Sequence, residues 1–230
     1  VNLICGPGNI FVTEMKRKLF GKVGIDGLYG PTETMIIADE KANPELCAAD
    51  LIAQAEHDQL AFPILVTNSV KLSNDVEKSL IDQLPQIKRN NVATMSLQNR
   101  GMNILVSDIE EAIEVANFIA PEHLSLLVEE PEFYMKNLNN LGGLFLGEIS
   151  GEVIADYIAG PSHVMPTDGS AKFASSLSVR QFLKYIPIVN IKEDDLSELS
   201  DYVINLAELE DLGGHAEAAK LRKRIILEEV

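Results

Sequence analysis

Gln54 and His57 stand three residues apart near the end of the stretch AADLIAQAEHD, residues 48–58. If that stretch is helical, the spacing puts an amide oxygen and an imidazole on one face, where both can grip the same cation. Imidazole combined with oxygen donors suits zinc or a similar borderline ion. Two donors do not complete such a site. Asp156, in IADYIAGPSH, and His215, in GGHAEA, are candidates for the rest. An aspartate before such a loop more often closes a turn or caps a helix, so spacing alone leaves Asp156 open.

A second pair, Glu122 and His123, follows Pro121 where the pattern passes from helix to strand. Loops at the carboxyl ends of strands are favoured positions for function in α/β proteins. An adjacent carboxylate and imidazole supply two proton-transfer groups whose pKa values can be tuned apart. The chain holds four histidines. His57, His123, His163 and His215 lie in QAEH, APEHL, GPSHVMPT and GGHAEA. A single histidine is more often a satisfied structural residue, but four of four in polar surroundings weigh toward function. GPGN, residues 6–9, feeds the helical stretch IFVTEMKRKLF, whose N-terminus could face an anion. It lacks the GxGxxG spacing, and a plain strand-to-helix turn is the simpler account.

These residues need a scaffold. Short apolar runs occur at NLIC, TMIIAD, FPILVTN, NVATMSL, NILVSD, LSLLVEE and GGLFLGE. Runs of this length and composition predict strands buried on both faces, as in a parallel sheet. Helical patterns alternate with them. Asn43-Pro44 makes an N-cap and first helical residue for a pattern running to His57. Asp108 caps IEEAIEVANFIA, in which Ile109, Ala112, Ile113 and Ala116 form one stripe. The expected fold is therefore α/β: a Rossmann-like, mainly parallel sheet with flanking helices, plus a small, mainly helical C-terminal domain. That last part, residues 176–230, is expected to hold one helix and one strand in SVRQFLKYIPIVNI and two helices from about Asp194 to Glu229.

The composition, 46% hydrophobic and 23% charged over 230 residues, is that of a globular chain. A net charge of −16 disfavours nucleic acid as a partner. No apolar run is long enough to span a bilayer, and no basic-then-apolar signal segment opens the sequence. The expected location is the cytoplasm. The two cysteines, Cys5 and Cys47, form neither a CxxC pair nor a disulfide framework.

Taken together, CGPGNIFVTEMKR, VGIDGLYGPTETMIIADE, AADLIAQAEH, IAPEHLSLLVE, DYIAGPSHVMPT and LAELEDLGGHAEA closely resemble the L-histidinol dehydrogenase family, in order and nearly in spacing. The resemblance covers essentially the whole sequence but only about the C-terminal half of a typical family chain. It implies oxidation of L-histidinol through L-histidinal to L-histidine with two NAD. It implies zinc held by Gln54, His57, Asp156 and His215, the last donated by the other subunit of a homodimer. By the same likeness Glu122 and His123 are the catalytic pair, His123 taking the alcohol proton and Glu122 activating water. Thr32, where the family usually has serine, His163 and Glu210 match substrate contacts, as do the zinc positions and His123. Asn9 matches a residue at the cofactor.

The same likeness divides the chain into residues 1–31, the end of a cofactor-binding domain, 32–175, a zinc and substrate domain, and 176–230, a dimerisation tail. Much of the cofactor domain would lie outside this stretch, which alone is expected to bind NAD poorly and turn over slowly or not at all. Two alternatives are a related zinc and NAD enzyme acting on another small alcohol, and a truncated non-catalytic remnant. Glu210 and His163 speak against the first, because those positions meet substrate rather than perform chemistry.

Overall fold

The structure is a computed structural model describing residues 1–228. It separates into two compact units, Val1–Phe182 and Leu183–Val230. In chain order the first unit holds β1 (Leu3–Ile4), α1 (Ile10–Leu19), β2 (Gly24–Ile25), β3 (Glu33–Ala38), α2 (Pro44–Ala55) and β4 (Phe62–Thr67). There follow α3 (Val70–Gln83), α4 (Asn90–Arg100), β5 (Met102–Leu105), α5 (Ile109–Ile119), β6 (His123–Leu127), α6 (Pro131–Met135), β7 (Gly143–Leu146) and α7 (Glu152–Tyr157). The second unit is a helical pair, α8 (Glu193–Leu209) and α9 (Gly213–Glu228).

Five strands form one parallel sheet in the order β5-β4-β3-β6-β7. The chain builds outward from β3 to β5, then crosses back through α5 to lay β6 on the other side of β3. Parallel pairing requires such crossovers, and the alternation of apolar strand and helix in the sequence supplies them. Adjacent residues of β3 feed opposite layers. Met35 and Ile37 pack with Ile64, Val66, Leu124 and the Ile109, Ala112, Ile113, Ala116 stripe of α5. Ile36 and Ala38 pack with Cys47, Ala48 and Leu51 of α2 and Leu72 and Val76 of α3. β1 and β2 form a separate two-stranded parallel pair. Behind them Asp26 accepts from the Gly6 N–H (2.7 Å) and pairs with Lys16 (2.6 Å), clamping the GPGN turn at Gly6, whose φ is +123°.

Three expectations fail locally. NVATMSL is not a strand but lies in α4. Its alternating Val92 and Thr94 mimic a strand, while Ala93 and Ser96 turn inward at helical spacing and Ser96 Oγ bonds the Ala61 carbonyl (3.0 Å). In SVRQFLKYIPIVNI only a 3₁₀ turn forms, at Val179–Phe182, and among the described residues Ile186, Ile188 and Val189 belong to no strand and are exposed. An apolar run without a neighbouring strand has nothing to pair with. The helix from Pro44 ends at Ala55, with Glu56 as its cap, so His57 lies two residues past its end. The final helix matches the expected span as far as Glu228; its expected end at Glu229 lies outside the described residues.

Ile37 is fully buried in the central strand, whereas Ile149 is 90% exposed. Ile37→Ala should lower unfolding stability by roughly 2–5 kcal/mol and Ile149→Ala by less than about 0.5 kcal/mol, as read from urea unfolding midpoints.

Candidate active site

The Glu122-His123 pair opens β6, and Thr32 and Glu33 open β3. Because the two strands run parallel in direct register, Thr34 faces His123 across the sheet. The pair thus sits at the amino edge of the strands, not at the carboxyl edge that the general rule for α/β sheets favours. The carboxyl edge does hold a crevice of about 510 Å³, between Asp39, Ser69 and Glu129. Asp39, Glu40, Glu129 and Glu130 line it against a single cation, Lys41, which is paired with Glu129, a poor setting for the phosphates of a dinucleotide.

What fixes Glu122 is backbone. Gly142 donates to the Pro121 carbonyl (3.0 Å) and Gly143 to the Glu122 carbonyl (2.8 Å). A Cβ at Gly142 would stand 2.5 Å from that same Glu122 carbonyl, so only glycine allows this approach. The carboxylate then turns toward β3, where Glu122 Oε2 accepts from the Thr32 hydroxyl (2.6 Å) and the Glu33 N–H (3.0 Å). Thr32 Oγ in turn accepts from Gln54 Nε2 (2.6 Å). One hydroxyl thereby links a strand-end carboxylate to the last turn of α2. With its nitrogen engaged, Gln54 presents its amide oxygen as the group free for a cation.

His123 is buried, and its ring stacks on Phe145 at 5.8 Å. Its Nδ1 lies 3.1 Å from the Glu33 carbonyl. A carbonyl only accepts, so in the neutral ring the hydrogen sits on Nδ1 and the lone pair on Nε2. Gln54 Nε2, 3.3 Å from Nδ1, is then a neighbour rather than a partner. Nε2 is buried without a hydrogen-bond partner, and the oxygen of an acidic group, Asp156 Oδ1, stands 3.8 Å away. Burial holds the His123 imidazole below the ordinary histidine value, and His57 and His163 push the same way, against the Glu33 carbonyl and Asp156. The ring is therefore a neutral base. Burial pushes Glu122 up to about 7, opposed by its bonds from Thr32 and Glu33 and reinforced by the charges of Glu33 and Asp156.

Thr32, Gln54, Glu122, His123 and Asp156 are thus brought together by direct contacts. His57 and His163 are exposed, and their link to His123 is electrostatic, each lowering its pKa. The His57 N–H bonds the Gln54 carbonyl (3.2 Å), so the two keep the one-turn spacing although the helix has ended. Asn9 caps α1, its Oδ1 accepting from Phe11 and Val12, which leaves the amide NH₂ for a ligand. Glu210 is the exposed C-cap of α8, and His215 is exposed in the first turn of α9, in the second unit. Among the described residues no three of His, Cys, Asp and Glu lie close enough to hold a metal ion. Yet the chemistry of the first unit suits one: the Gln54 oxygen, the His57 imidazole and the Asp156 carboxylate are donors that zinc accepts.

Residue patterns alone miss two acids. Glu33 bonds the Asp168 N–H (3.1 Å) through one oxygen and keeps the other buried and unpartnered. Glu152 is 1% exposed and accepts from the Thr34 hydroxyl (2.6 Å). The one signal for Glu152 was its place four residues before Asp156.

The histidinol dehydrogenase family model matches residues 1–223. The chain is 46% identical over 222 residues to histidinol dehydrogenase of Dehalococcoides mccartyi, which covers 96% of this chain and 51% of that protein. It is 50% identical over 223 residues to that of Thermus thermophilus, covering 97% and 54%. A crystal structure of histidinol dehydrogenase from Elizabethkingia anophelis matches with a TM-score of 0.93 at 34% identity, over 98% of this chain and 52% of that one. An acetylating aldehyde dehydrogenase from Geobacillus thermoglucosidasius shares the fold alone, at TM-score 0.52 and 13% identity. The chain spans about half the length of the curated relatives it matches. With the family model matched along nearly the whole sequence and these relatives 46% and 50% identical over it, the chain belongs to the histidinol dehydrogenase family.

Proposed function

We propose that this chain carries the substrate and zinc half of an NAD-dependent oxidation of L-histidinol through L-histidinal to L-histidine. The observation that carries this reading is the state of His123: Nδ1 bound to a carbonyl, Nε2 buried and unpartnered, with Glu122 beside it held up to about 7. An alcohol oxidation needs a base for the hydroxyl proton, and an aldehyde oxidation needs one for the attacking water. The two groups fit those two tasks. His123 Nε2 takes the hydroxyl proton as the carbinol carbon is oxidised. Glu122 then takes a proton from water as its oxygen adds to the aldehyde carbon. Thr32 holds the Glu122 carboxylate in place for that step.

When bound, NAD would accept the hydride in both oxidations and zinc would orient the substrate. Gln54, His57 and Asp156 would hold zinc, with His215 from the partner subunit of a homodimer completing the set. Thr32, His163 and Glu210 would contact substrate, and Asn9 the cofactor. The exposed Tyr202, Val203, Leu206 and Leu209 of α8 support residues 176–230 as the dimerising part. The 1–31 segment would complete a cofactor domain that lies mostly outside this sequence. Among the described residues no helix is long and apolar enough to cross a membrane. A cytoplasmic address fits the reaction's need for NAD.

Two outcomes follow. L-Histidinol titrated calorimetrically into the chain should bind with zinc present and lose at least about tenfold in affinity, about 1.4 kcal/mol, once zinc is chelated; equal binding with and without metal would contradict the reading. The second concerns pH. The folded chain holds the Glu122 proton more tightly than the unfolded chain does, so this group's contribution is full below the unfolded value of 4.5 and is lost as pH rises through about 7. Glu122→Gln should therefore release about one proton fewer on unfolding across that window, giving a flatter dependence of stability on pH. An unchanged slope in denaturant titrations between pH 4.5 and 8 would count against the assignment of a raised Glu122.

A further inference from the structure

The helix that carries Asp156 is short and poorly anchored. α7 spans six residues, and Gly151 at its start offers no side-chain cap. Val153, Ile154 and Tyr157 are exposed, as is Ile158, which follows it. Its one buried residue is an acid, Glu152. A helix usually docks through an apolar stripe. This one docks through a carboxyl group, which accepts from the fully buried Thr34 hydroxyl at 2.6 Å.

The place of that bond matters. Thr34 is the β3 residue paired with His123 of β6, so both side chains leave the same face of the sheet. Asp156 lies one turn beyond Glu152 on α7 and stands 3.8 Å from His123 Nε2. The helix is therefore tied at one end to the strand position opposite the base, and presents Asp156 to that base at the other. Replacing both members of a buried hydrogen-bonded pair by apolar groups of the same shape can be nearly neutral in a core, so stability alone does not call for this one. Burial, with Asp50, Asp156 and Glu122 near, pushes Glu152 up to about 8 against the Thr34 bond, so an uncharged group occupies the site at neutral pH.

We propose that Glu152 is a positioning residue: through its bond to Thr34 it sets the distance of α7, and hence of Asp156, from His123 and from Gln54 and His57 at and just past the end of α2. The inference rests on the zinc and substrate reading above for its functional consequence, but the tie itself is independent of any metal.

Three variants of the chain separate the possibilities. Glu152→Gln keeps an acceptor for Thr34. Glu152→Leu fills the space without one, and Thr34→Val removes the donor. Two measurements apply to each: hydrogen exchange of the 152–159 segment without metal, and the affinity for Zn²⁺ alone by calorimetry. In the Leu and Val variants we expect the segment to exchange at least about tenfold faster while β3 and β6 keep their protection. Zinc affinity should fall about tenfold or more in both, and the Gln variant should stay within about threefold of the parent. Leu exchanging and binding like Gln would overturn the proposal, because packing alone would then hold α7. Loss of protection throughout the sheet in every variant would overturn it too, making Glu152 a general core residue. Absence of zinc binding in the parent chain would go against the zinc reading instead, and the exchange result would then decide the tie by itself.

Discussion

The pairing of β3 with β6 at their amino ends is the constraint from which the site follows. The two strands are distant in sequence, yet in register they set Thr34 against His123. One residue earlier on β3, the Glu33 N–H reaches Glu122 Oε2 and the Glu33 carbonyl receives His123 Nδ1. A single peptide segment thus orients both the acid and the imidazole, donating to one and accepting from the other. Backbone groups cannot rotate away as side chains can, so the tautomer of His123 and the facing of Glu122 are set by the sheet itself.

Around that pairing the helices bring donors to the same edge. α2 ends with Gln54 beneath Thr32, and the Thr32 hydroxyl passes the constraint on to the amide. α7 brings Asp156, held through Glu152 and Thr34. Burial then tunes the groups in opposite senses, lowering the imidazole and raising the carboxyl. Desolvation of this kind is what a pair of proton-transfer groups requires to work near neutral pH.

The sequence carried much of this on its surface. TMIIAD and FPILVTN are near-continuous apolar runs because both faces of the sheet are covered, and they fold as β3 and β4. The Asn43 and Asp108 caps mark α2 and α5. Local pattern failed where tertiary context decided: NVATMSL alternates like a strand but buries Ala93 and Ser96 as a helix, and PIVNI has β-branched residues but pairs with no strand among the described residues. EH at a helix-to-strand junction already implied the amino end of a strand, and the general preference for carboxyl ends pointed the wrong way. The Glu152–Thr34 bond and the Thr32 bridge were invisible because each joins residues 22 to 118 positions apart, and no periodicity encodes such pairs.

The account depends most on the state of His123, and nitrogen-15 NMR of the histidine side chains in the metal-free chain at neutral pH tests it directly. A neutral ring with its hydrogen on Nδ1 and a bare Nε2 is the predicted result, and replacing Glu122 by glutamine should leave that tautomer in place. A ring protonated on Nε2, or an imidazolium at that pH, would contradict it, since neither leaves a lone pair on Nε2.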